Sequence, residues 1–364
     1  MENSLQKSVA FERIIAALLD NEHPFPAVHW HRFSDISVED MQHLGKIWQE
    51  IQPDRRVALL EDLETLAESD TLVSFDDLSK FALNDPDPRV REVALRLLWE
   101  SEDSSVIHKM LEMVDHDSAE KVRAAAATAL GQFVYLGELE EIPEASLHRI
   151  EEKLLSLTTS TTEPKLVRRR ALEALGFSSR TELKQLIMAA YNNNDRDWLV
   201  SALFAMGRSA NSHWTPSVME VMDSDDEDVL LEAVRAAGEL EAAGARRPLL
   251  KIIKSQPEGS EIRMAAIWSL SKIGGEKVRD TFEKLLEESE DEAELDILDE
   301  ALENLEFTEG FNKFGMIDYD PESEEALLAN PEADSWDENT DDEDDEESDE
   351  EPDEDDEDDD RSDS

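Results

Sequence analysis

The residue types that most often perform chemistry are few and scattered in this chain. There are 8 histidines and no cysteine in 364 residues. The missing cysteines exclude a disulfide framework, Cys-ligated zinc, iron–sulfur clusters and a Cys nucleophile. His29 and His31 flank Trp30 with Asp35 nearby, but no third and fourth zinc ligand follow at a recognisable spacing. We therefore interpret this segment as a loop or cap whose His and Trp pack on the first helices.

Motifs for nucleotide or hydrolytic chemistry are also absent from the sequence. No P-loop, G-x-S-x-G or Gly-rich dinucleotide motif occurs. The run Asp223–Asp228 has the acids of a calcium loop but lacks the glycine at its sixth position and the distal glutamate. We interpret it as an inter-helix turn with capping acids. The sequence predicts no catalytic residue, no metal site and no cofactor.

The charge of the chain restricts its partners. The net charge is −56, from 35 basic and 91 acidic residues. Such a chain repels phosphate backbones and anionic membrane surfaces, so we expect neither nucleic acid nor membrane binding. No run of eighteen apolar residues and no signal-peptide pattern occurs, which favours a cytoplasmic protein. A protein partner, with basic proteins electrostatically preferred, is the expectation.

One recurring sequence motif predicts the helices that must position any binding residues. The motif begins with an apolar residue that is often followed by Arg. After two further residues come a small residue and an apolar one, and after two more comes another apolar residue, often followed by Gly. It reads VREVALRLLW from Val90, VRAAAATALG from Val122, VRRRALEALG from Val167, WLVSALFAMG from Trp198, VLLEAVRAAG from Val229, IRMAAIWSLS from Ile262 and ILDEALENLE from Ile297. The starts are about 32, 45, 31, 31, 33 and 35 residues apart, which predicts two-helix repeats.

Within the motif, counted from position 0, the apolar positions are 0, 4, 5 and 8. At about 100° per residue these positions share one face, which predicts an amphipathic helix preceded in each repeat by a less regular one. Asp87 before Pro88 is typical of a helix N-terminus, and Gly at position 9 is typical of a helix C-terminus. The longest interval is predicted to hold a longer connection from Leu136 to Pro143.

This pattern resembles the HEAT repeat, particularly its phycobilisome-lyase-like subgroup, from Phe75 to Leu305. The resemblance implies an all-α, right-handed α–α superhelix of the armadillo type, with about seven to eight helix pairs. The Arg position of the family is matched by Arg91, Arg123, Arg168 and Arg263, for which the resemblance implies a structural ladder with the turn acids. Trp198, Val229 and Ile297 are not followed by Arg, so we expect the ladder to be interrupted late in the array.

Enzymes with related repeats provide an alternative to a binding protein. Deoxyhypusine hydroxylases of this fold hold two irons with His-Glu pairs, and the sequence contains no His-Glu dipeptide. Bilin lyases offer no compact motif to check, so a lyase-like or hydroxylase-like activity stays as the second hypothesis. The leading prediction is a non-catalytic scaffold or adaptor.

Four regions follow from composition. We predict a helical N-terminal cap over 1–70, HEAT-like repeats over 71–309, an apolar strap or linear motif over 310–331 and a disordered tail over 332–364. The tail has 23 acidic residues against the single base Arg361, and such a segment cannot bury enough apolar surface to order itself. Two interpretations of the tail stay open, an acidic chaperone arm for basic proteins or an inert solubilising brush.

The candidate binding surface is derived from the motif. Positions 2 and 6 face away from the core, and the resemblance implies that the second helix of each pair lines the concave side. Three successive repeats place apolar residues there with cations beside them: Val200, Phe204, Arg208, Leu231, Arg235, Met264, Trp268 and Lys272. Exposed apolar patches with basic rims mark binding sites, so this strip is predicted to bind a protein segment. The alternative is burial, by tighter repeat packing or by the strap residues Phe311–Tyr319.

Overall fold

The computed structural model describes residues 2–275 and 277–313, with side chains from 11 to 275 and from 277 to 307. Apart from short 3-10 turns, the regular elements in those ranges are α-helices. They are α1 Glu2–Leu19, α2 Val38–Ile47, α3 Pro53–Ser69, α4 Asp76–Ala82, α5 Pro88–Arg96, α6 Ile107–His116, α7 Glu120–Glu138, α8 Glu144–Thr159, α9 Lys165–Ala174, α10 Glu182–Tyr191, α11 Arg196–Arg208, α12 Thr215–Glu220, α13 Glu227–Glu239, α14 Arg246–Ser255, α15 Glu261–Ile273, α16 Val278–Glu288 and α17 Glu292–Lys313.

The helices pair along the chain, and the second helix of each pair carries the recurring motif. Each pair from α4–α5 to α16–α17 is formed by consecutive helices that pack on each other. The second helices also pack on one another in succession, from α3 through α5, α7, α9, α11, α13 and α15 to α17. We call this succession the second-helix row. The all-α solenoid predicted from the repeat is confirmed.

The apolar motif positions form the core of each repeat. In α7, Val122, Ala126, Ala127 and Leu130 have no measurable exposure. Positions 4 and 8 are buried in every repeat, and position 0 is partly exposed only at Trp198 and Ile297 among the seven motifs. Burying a Leu or Val side chain contributes roughly 1.5–3 kcal/mol. The burial of this face therefore fixes which side of each second helix faces the core.

The same register extends one helix towards the N-terminus. In α3, Arg56 lies at the Arg position, and Leu59 and Leu60 lie at the buried apolar positions. Arg56 Nη1 is 2.6 Å from Asp85 Oδ2, which also accepts a hydrogen bond of 2.6 Å from Trp48 Nε1. The second-helix row therefore begins at α3, within the region predicted as a cap; the boundary of that cap stays a prediction.

The glycines at motif position 9 serve helix packing rather than helix termination. Their backbone φ values lie outside the left-handed region. A Cβ added to Gly131, Gly176 or Gly207 would lie 3.0–3.2 Å from the Cα of the small residue at position 7 in the next repeat. The predicted position at a helix C-terminus holds for Gly176, Gly207 and Gly238, whereas Gly131 lies inside α7, and none of the four has the positive φ of a terminating glycine. Glu140, Ala210, Glu241 and Gly274, which follow the second helices, are the residues that take a positive φ.

The Arg ladder joins neighbouring repeats. Arg91 donates two hydrogen bonds of 2.8 Å to Asp117, and Arg263 donates one of 2.6 Å to Glu294. Arg168 instead lies over the ring of Trp198, 5.2 Å from its centroid. Trp198 occupies position 0 of the next motif, so the ladder is interrupted at Arg168, one motif earlier than the sequence predicted.

The longest interval between motifs is taken up by helix rather than by loop. The helix α7 has 19 residues and continues to Glu138, and α8 has 16 residues. The predicted connection from Leu136 to Pro143 is therefore wrong at its first three residues, because the apolar face of α7 continues through Phe133, Val134 and Leu136, all of which are buried.

The end of the chain lies largely outside the described residues. The backbone of α17 continues through Phe311 to Lys313. Phe314, Ile317, Tyr319 and the acidic tail over 332–364 lie beyond it. Residues 310–313 of the predicted strap are therefore helical, and the rest of the strap and the predicted disordered tail lie outside the described ranges.

Candidate functional site

Two recesses open on the exposed face of the second-helix row. We call the larger one, of about 840 Å³, the alanine recess, because alanines of α7 form its floor. We call the smaller one, of about 290 Å³, the tryptophan recess, because Trp268 of α15 lines it. Together they run along the row from α3 to α17. Their linings come mainly from motif positions 2, 3, 6 and 10, which point away from the core.

The alanine recess exists because α7 carries small side chains between larger neighbours. Its floor is Ala124, Ala125, Thr128 and Ala129. One wall is Trp99, which follows α5 and is 53 % exposed. The opposite side is formed by Tyr135, Phe177 and Arg208. Tyr135 is 40 % exposed, and its ring centroid lies 5.0 Å from that of Phe177.

The additional turns of α7 position one of these aromatic side chains. Tyr135 lies thirteen residues after the start of its motif at Val122, beyond the point where α5 and α9 have ended. The extended helix carries Tyr135 over the edge of the recess, against Phe177 of the next repeat. The additional length of α7 therefore adds an aromatic side chain to the lining of the recess.

Arg208 lies between two aromatic rings. Its guanidinium carbon is 4.7 Å from the ring centroid of Phe177 and 4.4 Å from that of Phe204. Burial lowers the pKa of Arg208 from its usual value, while the carboxylates of Glu173, Glu239 and Glu232 act in the opposite direction. Within the described residues no hydrogen bond or ion pair reaches this guanidinium. Its N–H groups are thus held in place but lack a protein acceptor there.

A buried carboxyl lies one repeat further along the row. Glu232 is 8 % exposed, and burial raises its pKa to about 7. The nearest cation is Arg235, with Nη1 3.9 Å from Glu232 Oε2. The neighbouring Glu173 is different, because it accepts a hydrogen bond of 2.6 Å from Ser201 and another from Arg170. The middle of the row therefore combines a buried acid whose pKa is raised with a half-buried cation.

The tryptophan recess is lined by α13, α15 and the start of the last motif. Met264 and Trp268 form its apolar part. Lys272 Nζ lies 5.9 Å from the Trp268 ring centroid and 2.7 Å from Glu239 Oε1. Arg235 is paired with Glu261 at 2.8 Å. The cations at this recess are thus neutralised, and the exposed surface between them is apolar.

The structure separates the eight predicted binding residues into three groups. Arg235, Met264, Trp268 and Lys272 line the tryptophan recess. Arg208 lines the alanine recess. Val200, Phe204 and Leu231 are half-buried between the two recesses, with Val200 and Leu231 packed against the core. The role of all eight in binding a partner stays a prediction.

The alanine recess itself was missed by reasoning from sequence. That reasoning searched for large apolar residues at positions 2 and 6, and Ala124 and Thr128 are small. The sequence signal for the recess is a run of small residues between large ones. Four consecutive alanines run from Ala124 to Ala127 on one helix, and Trp99 and Phe177 lie at the ends of the motifs before and after it. A row of small residues between large ones creates a hollow.

Two other candidates have structural explanations. Asp226 caps α13 by accepting from the N–H groups of Asp228 and Val229, which confirms the inter-helix turn. His31 Nε2 lies 3.5 Å from Asp70, and the ring centroid of His29 lies 5.9 Å from that of Phe25. In the ranges with described side chains, no three His, Asp or Glu residues are grouped as metal ligands would be.

These features define an α-solenoid with a lined groove along its second helices. A family model described as HEAT repeats matches residues 75–146 and 215–303. The HEAT repeats predicted from the sequence are confirmed in these two regions. A search of curated proteins gives no match. No helix in the described part of the chain combines the length and the apolar character needed to cross a membrane.

Solved structures with a similar fold include proteins of different kinds. The Escherichia coli protein YibA is 15 % identical, with 79 % of this chain and 98 % of that chain covered and a TM-score of 0.40. Importin beta is 16 % identical, with 92 % and 46 % covered and a TM-score of 0.41. Human deoxyhypusine hydroxylase is 13 % identical, with 84 % and 99 % covered and a TM-score of 0.34. At these values the likeness concerns the fold alone.

Proposed function

We propose that this protein is a non-catalytic scaffold or adaptor that binds a protein segment along the exposed face of its second-helix row. The observation that carries the proposal is the exposure of Trp99 and Tyr135 beside an apolar floor, on a row whose other large apolar side chains are mostly buried. Trp, Tyr and Arg are the residues that most often dominate binding energy at protein interfaces.

The charge distribution supports a protein ligand. The chain as a whole has a net charge of −56, whereas the alanine recess is lined by Glu64, Glu68 and Glu92 against the cations Arg96, Lys121, Arg170 and Arg208. A charge-balanced apolar groove on an acidic protein attracts a segment that is apolar at its centre. The acidic surroundings then favour partners of basic overall character.

The test is affinity capture from native lysate with three full-length chains: the wild type, a Trp99→Ser/Trp268→Ser variant and a Leu72→Ser control. Leu72 is 89 % exposed and lines neither recess, so the control removes an exposed apolar side chain elsewhere. We expect the groove variant to lose a partner at least tenfold, while the control retains it. Thermal unfolding checks that all three chains are folded.

Two other outcomes would contradict the proposal. Equal capture by all three chains would show that the groove is not the binding surface. Capture that disappears when the chain ends at Glu309, and that is abolished by salt, would assign binding to the acidic C-terminal segment instead. Repeating the capture with Phe204→Ser tests whether the half-buried part of the predicted strip contributes.

A further inference from the structure

The charges that line the alanine recess are segregated along the row. On the α3–α5 side, Glu64, Glu68 and Glu92 surround a single guanidinium, that of Arg96. Arg96 is occupied, because it donates two hydrogen bonds of 2.6 Å to Glu64. On the α9–α11 side, the charged lining residues are Arg170 and Arg208, and the carboxylates of Glu173, Glu232 and Glu239 act on Arg208 from outside the lining. A bound segment therefore meets a negative end and a positive end, which gives it a direction.

The positive end contains one cation that is available for a ligand. Arg170 donates to Glu173, whereas Arg208 has no acceptor among the described residues. The rings of Phe177 and Phe204 fix the guanidinium between them, and Gly176 allows this close approach, because a Cβ added there would lie 2.9 Å from Arg208 Cβ. A partly desolvated guanidinium with free N–H donors binds a carboxylate through two parallel hydrogen bonds.

The distance between the alanine floor and Arg208 sets a spacing in the ligand. The floor lies on α7 and Arg208 lies at the end of α11, two helices further along the row. The guanidinium of Arg208 reaches back from α11 to the ring of Phe177, which also contacts Tyr135 of α7. Because the alanine floor and this guanidinium line one recess, a bound extended segment meets the two at a constant spacing along its sequence.

We propose that the alanine recess selects a protein segment that places an aromatic side chain on the alanines of α7 and a carboxylate on Arg208, at a constant spacing from each other. The end of the segment beyond the aromatic residue, which faces Glu64, Glu68 and Glu92, is neutral or basic. This inference rests on the proposed function, since it specifies the ligand of the same groove. The carboxylate belongs to an Asp or Glu side chain or to the C-terminus of the segment.

The experiment is a selection of displayed random 14-residue peptides, with free C-termini, on the full-length wild type, Arg208→Glu, Arg208→Gln and the control Arg247→Glu. Arg247 is exposed on α14, outside both recesses, so its charge reversal leaves the groove unchanged. We expect the wild type and the control to enrich peptides with an acid at a constant spacing from an aromatic residue. Arg208→Gln loses the acid from the consensus, and Arg208→Glu replaces it with Lys or Arg.

Synthetic copies of the leading peptide separate the two sources of the carboxylate. Amidation weakens binding at least tenfold if the C-terminus is used, and Asp→Asn or Glu→Gln within the peptide does so if a side chain is used. Selection of the same acid by Arg208→Gln and by the wild type overturns the proposal, as does a wild-type consensus without this spacing. Peptides that are lost on Trp99→Ser but unaffected at Arg208 would overturn this inference and leave the proposed function standing.

Discussion

Ser269 of α15 lies directly against Gly238 of α13. A Cβ added to Gly238 would lie 2.7 Å from Ser269 Cβ and 2.8 Å from its Cα. The helices are so close that Ser269 Oγ donates a hydrogen bond of 2.8 Å to the backbone carbonyl oxygen of Val234. Such contacts recur along the second-helix row, and they set the separation of the side chains that line the groove.

The first prediction concerns this contact. Gly238→Ala lowers the free energy of unfolding by about 1–3 kcal/mol, because overpacking against backbone atoms outweighs the better helix propensity of Ala. Urea unfolding measures the loss. The control is Gly244→Ala, where an added Cβ meets nothing within 4 Å and stability should be unchanged or slightly higher. An equal effect of the two substitutions would show that close packing at Gly238 is not limiting.

The second prediction concerns the residues that follow the second helices. Ala210 has a φ of 47°, which is unfavourable for a residue with a Cβ, and its N–H donates to the Gly207 carbonyl at 3.1 Å. Ala210→Gly therefore raises the free energy of unfolding by about 0.5–1 kcal/mol. Ser209→Gly, one residue earlier at a φ of −69°, lowers it. Thermal unfolding of both variants checks the opposite signs.

The third prediction concerns the buried pair of Arg56 and Asp85, whose side chains are 4 % and 0 % exposed. Asp85→Asn leaves the Arg56 charge without its counterion and costs about 3–5 kcal/mol of stability. The matched control is Asp54→Asn, which removes the partner of Arg89 at a site where Asp54 is 87 % exposed. That change costs less than about 1 kcal/mol. Chemical unfolding of both variants measures the two losses, and an equal or smaller loss for Asp85→Asn than for Asp54→Asn would contradict the prediction.

The fourth prediction is a pH dependence at Glu232. Its folded-state pKa of about 7 lies above the ordinary value of 4.5, so the folded protein binds this proton more tightly than the unfolded chain. The contribution of the protonated carboxyl to stability is complete below about pH 4.5 and is lost as the pH rises through 7, on the order of 3 kcal/mol. Glu232→Gln removes this loss and should be more stable than the wild type at pH 8.

Asp103 provides the opposite case for the same titration series. A hydrogen bond from Lys80 lowers the pKa of Asp103 to about 2. Its contribution to stability is therefore present above about pH 4 and lost as the pH falls towards 2. Asp103→Asn should cost stability at pH 7 and not at pH 2, whereas the cost of Glu232 ionisation appears only at high pH. Unfolding curves from pH 2 to 8 for both variants test the two signs together.

Much of the architecture followed from sequence periodicity alone. The positions of Val122, Ala126, Ala127 and Leu130 predicted which face of α7 is buried, because a helix with apolar residues on one side must cover that side. The same reasoning located the second helix of every repeat and placed Met264 and Trp268 on the exposed face, where they line a recess. A repeated local pattern determines a repeated local fold, since each repeat packs mainly on its neighbours.

Tertiary structure alone decided the alanine recess and the environment of Arg208. Trp99, the alanines of α7 and Phe177 belong to three different repeats, and only the close packing of the second helices brings them to one hollow. Likewise Arg208 is held by Phe177 of the preceding repeat and by Phe204 of its own helix. Periodicity gives the direction of each side chain from its own helix axis, but contacts between repeats depend on helix length, rotation and separation. Those quantities are fixed by packing, which has no local signature in the sequence.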